Sequence, residues 1–159
     1  MQLTKRTPCV GICSTTYGDL VCRGCKRFAH EIVEWNAYDE DQKTLIRDRL
    51  QRLQDEVVSQ SLDVLERSRL QQAVADAALA DLPQWEGVYQ LLRDMVRRER
   101  TLASVGLRAR GASLDSQGLG QAVGAPADAL DTLVLLQAVD KELYARSRAH
   151  YERNFKVLT

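Results

Sequence analysis

The sequence predicts an all-α protein in which a small four-cysteine knuckle at the N-terminus precedes a helical bundle or a set of helical hairpins. Three observations support this fold class. All four cysteines of the 159-residue chain fall between positions 9 and 25. After them, apolar residues recur every three or four positions, which is the spacing of a helix that is buried on one side. No segment shows the strict alternation of a half-buried strand.

The first third of the chain predicts a loop and two helices. Residues 5–26 contain three glycines that interrupt any regular pattern, so we expect loop and turn there. A short helix should follow and end near Asn36; its apolar face carries Phe28, Ile32 and Trp35. A longer helix should begin after Asp39, an N-cap whose capping box Gln42 completes. The apolar stripe of that helix comprises Ile46, Leu50, Leu53 and Val57.

The remaining chain predicts three further helices. Residues 62–82 are rich in Ala, Leu and Gln, and Pro83 should end the helix that they form. Residues 85–105 form the next helix, with inward positions Val88, Leu91, Leu92 and Met95. Residues 108–124 hold four glycines and indicate a loop or hinge. The last helix should begin at Pro126 and end near Phe155. Its inward positions are Leu130, Leu133, Leu136, Val139 and Leu143.

These elements suggest two domains: a four-cysteine module with its following helix over residues 1–58, and a helical domain over residues 59–159. The 22 basic and 22 acidic residues cancel, and this balance argues against a dedicated nucleic-acid binder. No export signal opens the chain, and no apolar run is long enough to span a bilayer. We therefore expect a cytoplasmic protein with no membrane partner.

The cysteine spacing is typical of a metal site. Cys9 and Cys13 form one close pair, and Cys22 and Cys25 form a second pair after eight intervening residues. Two such pairs across a short loop suit a tetrahedral ion, because each pair supplies two sulfurs from one turn. Cytoplasmic thiols stay reduced, so a disulfide framework is not expected. All-cysteine sites of this size hold structural Zn²⁺, the preferred metal here, or an iron–sulfur cluster, the alternative.

The same region resembles a known family. The motifs that carry the resemblance are Pro8-Cys9-Val10-Gly11-Ile12-Cys13, then Cys22-Arg23-Gly24-Cys25-Lys26-Arg27, then Glu31-Ile32 and Trp35. Their order and spacing are similar to those of the bacterial domain of unknown function 1289 family, over about residues 7–55. The resemblance implies a small cysteine-rich module, and members of the family are often described as iron–sulfur proteins. The C-terminal hundred residues lie outside the resemblance.

Other polar residues were weighed as sites. His30 follows the cysteines by five residues and could act as a substitute ligand or a base; a partly exposed helical histidine is the favoured interpretation. Residues 84–111 carry six arginines against three acidic residues. A basic patch of this kind could contact an anion or a partner; alternatively, it is a solvated face that pairs with the acidic stretch before it. The candidate contacts are Arg93, Arg97, Arg98 and Arg100.

These observations favour a non-enzymatic metal-binding protein that acts as an adaptor or regulator through contacts with a protein partner. The cysteine site has no open coordination position, and no catalytic constellation or phosphate-binding loop accompanies it. Two alternatives remain: an iron–sulfur redox or sensor protein, and a regulator that binds nucleic acid or the transcription machinery. The nucleic-acid alternative is less favoured because the charges balance.

Overall fold

The protein is mostly helical. Its structure, a computed structural model, describes residues 8–11, 13–110 and 127–155, with residues 127–130 described by their backbone alone. The α-helices within this part are α1 (Ala29–Val33), α2 (Glu40–Ser61), α3 (Arg67–Asp76), α4 (Gln84–Arg97) and α5 (Ala127–Asn154). Short 3-10 helices lie at Ser14–Tyr17, Trp35–Ala37 and Ala103–Val105.

The start of α2 follows from a local signal. The Gln42 N–H donates to Asp39 Oδ1 at 2.8 Å, and the Asp39 N–H donates to Gln42 Oε1 at 2.9 Å. This reciprocal pair satisfies two backbone donors that a helix leaves without an intrahelical acceptor. The predicted capping box is therefore confirmed. Of the predicted stripe, Ile46 and Val57 are buried, whereas Leu50 and Leu53 are half-buried.

The described residues include a two-stranded sheet, so the expectation of a chain without strands was wrong. Strand β1 (Leu62–Val64) pairs antiparallel with β2 (Leu107–Ala109), and Asp63 lies opposite Arg108. The prediction of one helix over residues 62–82 fails for the same reason, since its first three residues form β1. Each strand is only three residues long, and its partner lies more than 40 positions away. Alternation cannot be recognised over so short a segment.

Helices α3 and α4 end before the predicted positions 82 and 105. In each case the second residue after the last helical one adopts the left-handed conformation, namely Ala78 (φ 58°) and Glu99 (φ 52°). The following N–H groups then bond backwards: Leu79 to the Val74 carbonyl and Arg100 to the Met95 carbonyl, both at 2.9 Å. This is the Schellman ending, which usually uses glycine. Because neither position is glycine here, the sequence gives no stop signal.

The predicted inward faces of α4 and α5 have different outcomes. In α4, all four predicted positions are buried, with Leu91, Leu92 and Met95 fully so. In α5, Val139 and Leu143 are buried as predicted, but Leu133 and Leu136 are only half-buried. The buried positions of α5 are Thr132, Leu135, Val139, Leu143 and Ser147. The loop or hinge expected over residues 108–124 was wrong at its start, because residues 108 and 109 belong to β2. The rest of that segment from residue 111 onwards, the Pro126 helix start and the Leu130 side chain lie outside the described residues.

The backbone contacts divide the chain into two compact units. The first comprises Met1–Leu53 with Glu142–Thr159, and the second comprises Gln54–Lys141. In the first unit the most deeply buried ring is Phe28, 1% exposed. The rings of His150, Tyr151 and Phe155 surround it with centroids 5.6, 5.4 and 5.3 Å away. These distances are those of attractive aromatic pairs.

The second unit has a conventional aliphatic core. It is formed by apolar side chains that are at most 2% exposed: Val57, Val58, Leu62, Val88, Leu91, Leu92, Met95, Val105, Leu107, Leu135 and Val139. The Tyr89 hydroxyl donates a hydrogen bond to the Asp140 carboxylate at the margin of this core. Burial, together with that hydrogen bond and the carboxylate charge, raises the pKa of Tyr89.

Candidate metal centre

A tight backbone turn holds the second cysteine pair. The Cys22 N–H donates to the Arg27 carbonyl at 2.9 Å, and the Lys26 N–H donates to the Cys22 carbonyl at 2.9 Å. Just outside the turn, Val21 and Phe28 form an antiparallel bridge. Both flanking side chains are buried, so the turn is fixed to the core of the first unit at each end.

Backbone amides surround the Cys22 sulfur. The thiol is 1% exposed, and this burial raises its pKa. The backbone N–H groups of Cys25, Ser14 and Gly24 act in the opposite direction by donating toward the sulfur, as does the Cys25 side chain. Together they lower the pKa of Cys22 to about 7. The thiolate, which is the form that binds metals, is therefore stabilised at this position.

Cys25 has a cationic neighbour. The Arg27 Nε donates to Cys25 Sγ at 3.3 Å, and the Arg27 guanidinium lies 4.8 Å from the centroid of the Trp35 ring. Burial raises the pKa of the Cys25 thiol, although the Arg27 hydrogen bond and charge act to lower it. This sulfur therefore holds its proton more firmly than Cys22 does, and a metal ion that binds here would have to displace that proton.

The first cysteine pair lies on the segment that leads to the turn. Ser14, next to Cys13, reaches the second pair twice: its N–H approaches Cys22, and its Oγ accepts the Arg23 N–H at 2.8 Å. Cys13 Sγ itself lies 2.8 Å from Thr15 Oγ1. Cys9 is exposed, and its Sγ accepts the Gly11 N–H at 3.4 Å. Gly11 adopts a left-handed φ of 95°, which suits glycine.

The four cysteine thiols are chemically suitable ligands for a metal ion, and the structure brings some of them close together. Cys22 and Cys25 lie side by side, and the residue after Cys13 contacts Cys22. Over residues 8–11, 13–110 and 127–155, no three or more His, Cys, Asp or Glu residues cluster closely enough to hold a metal ion. Four-cysteine coordination by Cys9, Cys13, Cys22 and Cys25 therefore stays a prediction.

The predicted arginine contacts lie in the second unit. Arg97 and Arg98 are exposed and share the Asp94 carboxylate, with N–O distances of 3.5 and 3.1 Å. Arg93 is also exposed, whereas Arg100 is half-buried. Further along, Arg108 and Arg110 both contact Asp63 across the two-stranded sheet. Asp63 belongs to the acidic stretch that precedes residues 84–111. Arg108 and Arg110 therefore form the kind of pairing that is expected if the arginines are a solvated face.

Sequence analysis missed a charged pair in the first unit. Arg49 donates to both carboxylate oxygens of Glu31, and the Phe28 N–H donates to Glu31 Oε1 at 2.8 Å. His30, predicted as a partly exposed helical residue, is half-buried and lies 4.9 Å from the Phe155 ring. The i, i+3 spacing of Phe28 and Glu31 was the available signal, because an acid at the third helical position can accept the N-cap amide.

A cysteine-bearing turn, a bridge across its base and a short helix define a small knuckle module at the front of the protein. Residues 7–54 match the model of a family described as protein of unknown function (DUF1289). The resemblance predicted over about residues 7–55 is thus confirmed. A search of curated proteins and a search of solved structures each found no match. Among the helices in the described part of the chain, none combines the length and apolarity needed to cross a membrane.

Proposed function

We propose that Cys9, Cys13, Cys22 and Cys25 bind a metal ion, preferably Zn²⁺, and that the protein is a non-enzymatic adaptor or regulator in the cytoplasm. The observation that carries the proposal is the set of three backbone N–H groups directed at Cys22 Sγ. Hydrogen bonds of this kind stabilise thiolates and orient metal ligands. A buried thiol in an ordinary core has no need of them.

With four thiolates the site would be closed, and the ion would cross-link the turn to the segment that contains Cys9 and Cys13. A closed zinc site contributes folding energy and does not activate water. This cross-link is supported by the Ser14 contacts, which connect the segment of Cys13 to the turn that contains Cys22 and Cys25. The role expected of the metal is therefore structural.

The iron–sulfur alternative uses the same four ligands, and the two candidates differ in colour and metal content. Protein purified anaerobically without added metal should be colourless and contain one zinc per chain by elemental analysis. Iron and sulfide in the protein, with visible absorption, would favour the cluster instead. The absence of any bound metal in this preparation would contradict the proposal. Cys22→Ser should lose the metal, whereas Ser59→Ala, far along α2, should keep it.

Exposed apolar residues on the cysteine segment support an adaptor role. Val10, Tyr17 and Leu20 are 45%, 89% and 57% exposed. Apolar side chains held in solvent beside a rigid site suit a protein contact. A Tyr17→Ser/Leu20→Ser double variant should lose a partner captured from native lysate by cross-linking. Val33→Ser, which alters an equally exposed residue on α1, is the matched control. Retention of that partner by the double variant would contradict this surface.

A second candidate, a regulator that binds nucleic acid or the transcription machinery, is favoured by the exposure of Arg93, Arg97 and Arg98. Asp94 faces both Arg97 and Arg98, and residues 93–100 hold four arginines against two acidic residues, so the end of α4 has a net positive charge. RNA or polymerase binding that weakens with salt, and that Arg97→Glu/Arg98→Glu abolishes, would support this candidate. Arg67→Glu/Arg69→Glu on α3 is the matched control. No binding at low salt would dismiss the candidate.

A further inference from the structure

We infer that Lys26 and Arg27 are positioning residues of the metal centre, Lys26 by aiming two backbone N–H groups at Cys22 and Arg27 by donating to Cys25. The inference rests on the proposed function, because it assigns the second layer of contacts around the same four cysteines. Sequence alone could only place these two cations near the sulfurs. The structure gives each of them a separate task.

Lys26 is buried, which is unusual for a lysine, and its backbone adopts a left-handed φ of 66°. In this conformation the side chain folds back over the turn that it follows. Its Nζ donates to the Arg23 carbonyl and, at 3.0 Å, to the Gly24 carbonyl. The ammonium group thus holds two consecutive carbonyls of the segment between Cys22 and Cys25.

The consequence for Cys22 follows from peptide geometry. In a planar trans peptide, the carbonyl and the N–H point in opposite directions. The Arg23 carbonyl shares its peptide with the Gly24 N–H, and the Gly24 carbonyl shares its peptide with the Cys25 N–H. These two N–H groups are among the donors that reach Cys22 Sγ. By holding the carbonyls on one side, Lys26 keeps both amides directed at the sulfur on the other.

Ser14 provides an internal comparison. Its N–H also reaches Cys22, but the carbonyl of that peptide belongs to Cys13 and accepts the Thr16 N–H at 3.3 Å. The orientation of the Ser14 amide is therefore set by the 3-10 turn at Ser14–Tyr17 and not by Lys26. Loss of the Lys26 ammonium should affect the Gly24 and Cys25 amides and leave the Ser14 amide unchanged.

Arg27 serves the other sulfur. It is 4% exposed, and its guanidinium is fixed from two sides, by the Trp35 ring at 4.8 Å and by Cys25 Sγ at 3.3 Å. A buried guanidinium needs an anionic or strongly accepting neighbour, and a metal-bound thiolate is such a neighbour. The planar group can stack and donate at once, which a lysine at this position cannot do as well.

The experiment compares Lys26→Asn and Arg27→Gln with Arg23→Gln in the full chain. Asparagine tolerates the left-handed conformation but is too short to reach the carbonyls. The control removes an equal charge from the same turn, yet the Arg23 side chain is 65% exposed and pairs with Asp19. The measurements are the Zn²⁺ dissociation constant, by competition with a chelator, and the amide proton shifts of the zinc-loaded protein. Unchanged amide shifts of residues 40–53 and 142–154, which belong to the same unit as the cysteines, establish that each variant is folded.

Both site variants should bind Zn²⁺ about 10- to 100-fold more weakly, and the control should match the wild type. In Lys26→Asn, the Gly24 and Cys25 amide protons should move upfield while that of Ser14 stays in place. Arg27→Lys should recover part of the affinity lost in Arg27→Gln. If Lys26→Asn does not fold, Lys26→Met repeats the test with the apolar stem retained.

Two failures are distinguishable. A wild-type protein that binds no metal would overturn the proposed function. A wild type that binds Zn²⁺, with site variants as tight as Arg23→Gln and unmoved Gly24 and Cys25 amides, would overturn only the roles given to Lys26 and Arg27.

Discussion

Arg49 on α2 donates two parallel hydrogen bonds to Glu31 on α1, from Nη1 to Oε2 at 2.6 Å and from Nη2 to Oε1 at 2.7 Å. The Glu31 side chain is only 6% exposed. The same guanidinium lies 4.3 Å from the centroid of the Phe28 ring, whose N–H also donates to Glu31. One ion pair therefore fixes the start of α1, its attachment to α2 and the orientation of the central ring.

Replacing Arg49 with methionine should destabilise the protein by about 3 kcal/mol, because the buried Glu31 carboxylate would lose its charged hydrogen-bond partner. Urea unfolding followed by circular dichroism measures the change. Arg52→Met is the matched control, since Arg52 is an exposed cation one turn further along α2. Equal stability of the two variants would show that the Glu31 pair contributes little.

Glycine at the left-handed end of α3 should stabilise the protein. Ala78→Gly removes a Cβ from a φ of 58°, and a gain of about 1 kcal/mol is expected. Gln71→Gly, at an exposed position inside the same helix, should have the opposite sign and lose somewhat less than 1 kcal/mol. Thermal or urea unfolding gives both values. A loss of stability in Ala78→Gly would contradict the assigned helix ending.

Gly106 should not tolerate a side chain. Its φ is 74°, and an added Cβ would lie 2.6 Å from the Glu66 carbonyl oxygen. Its own carbonyl accepts the Leu65 and Glu66 N–H groups at 2.8 and 3.2 Å, so the segment cannot easily withdraw. We expect Gly106→Ala to cost about 3 kcal/mol. Gly87→Ala, inside α4 with the nearest atom 3.4 Å away, should change stability by less than about 1 kcal/mol.

Lowering the pH should decrease the stability of the folded protein because His150 becomes protonated. Burial lowers the pKa of His150, Arg49 and Arg153 lower it further, and Glu31 opposes them. The unfolded chain therefore binds a proton at His150 more readily than the folded protein does. The free energy of unfolding keeps its full value above the ordinary pKa of 6.5. It decreases as the pH falls through the lower pKa that His150 has in the folded protein. Urea midpoints from pH 7 to pH 5 should decline less in His150→Gln than in the wild type. Arg148→Gln, its neighbour, should decline as the wild type does.

Metal removal should disorder the cysteine turn without melting the second unit. Val10, Tyr17 and Leu20 are exposed, so the segment has little apolar core of its own apart from Val21. After chelation, or in Cys25→Ser, the amide dispersion of residues 13–27 should collapse while that of α4 is retained. Unchanged dispersion in residues 13–27 of a demonstrably zinc-free sample would count against a structural metal.

The sequence predicted what depends on local signals. The Asp39–Gln42 capping box and the four inward positions of α4 are read within a few residues of each other, and both are confirmed. The strand pair could not be predicted, because Leu62 and Ala109 meet only in the folded chain. The ends of α3 and α4 were also not predicted. Ala78 and Glu99 occupy the left-handed positions at which a glycine would have indicated the end of a helix.

For the candidate site, the cysteine spacing predicts a ligand set, which stays a prediction, and says nothing of the surroundings of those sulfurs. The sequence places the cations Lys26 and Arg27 close to the cysteines, where they can offset thiolate charge, but it does not indicate that both are buried. Their burial depends on tertiary contacts, namely the backbone carbonyls of the turn and the Trp35 ring. Glu31 and Arg49 are 18 positions apart, and no pattern in the sequence joins them.

The ring cluster around Phe28 bears on how the family region can be studied by itself. Three of its rings belong to His150 and Tyr151 near the end of α5 and to Phe155 just after it, about a hundred residues beyond the matched segment 7–54. A fragment cut at the family boundaries would carry an uncovered phenylalanine where the whole chain has a sealed aromatic stack. In this protein, the smallest autonomous form of the module should therefore be discontinuous, with residues 142–155 joined to it by a linker.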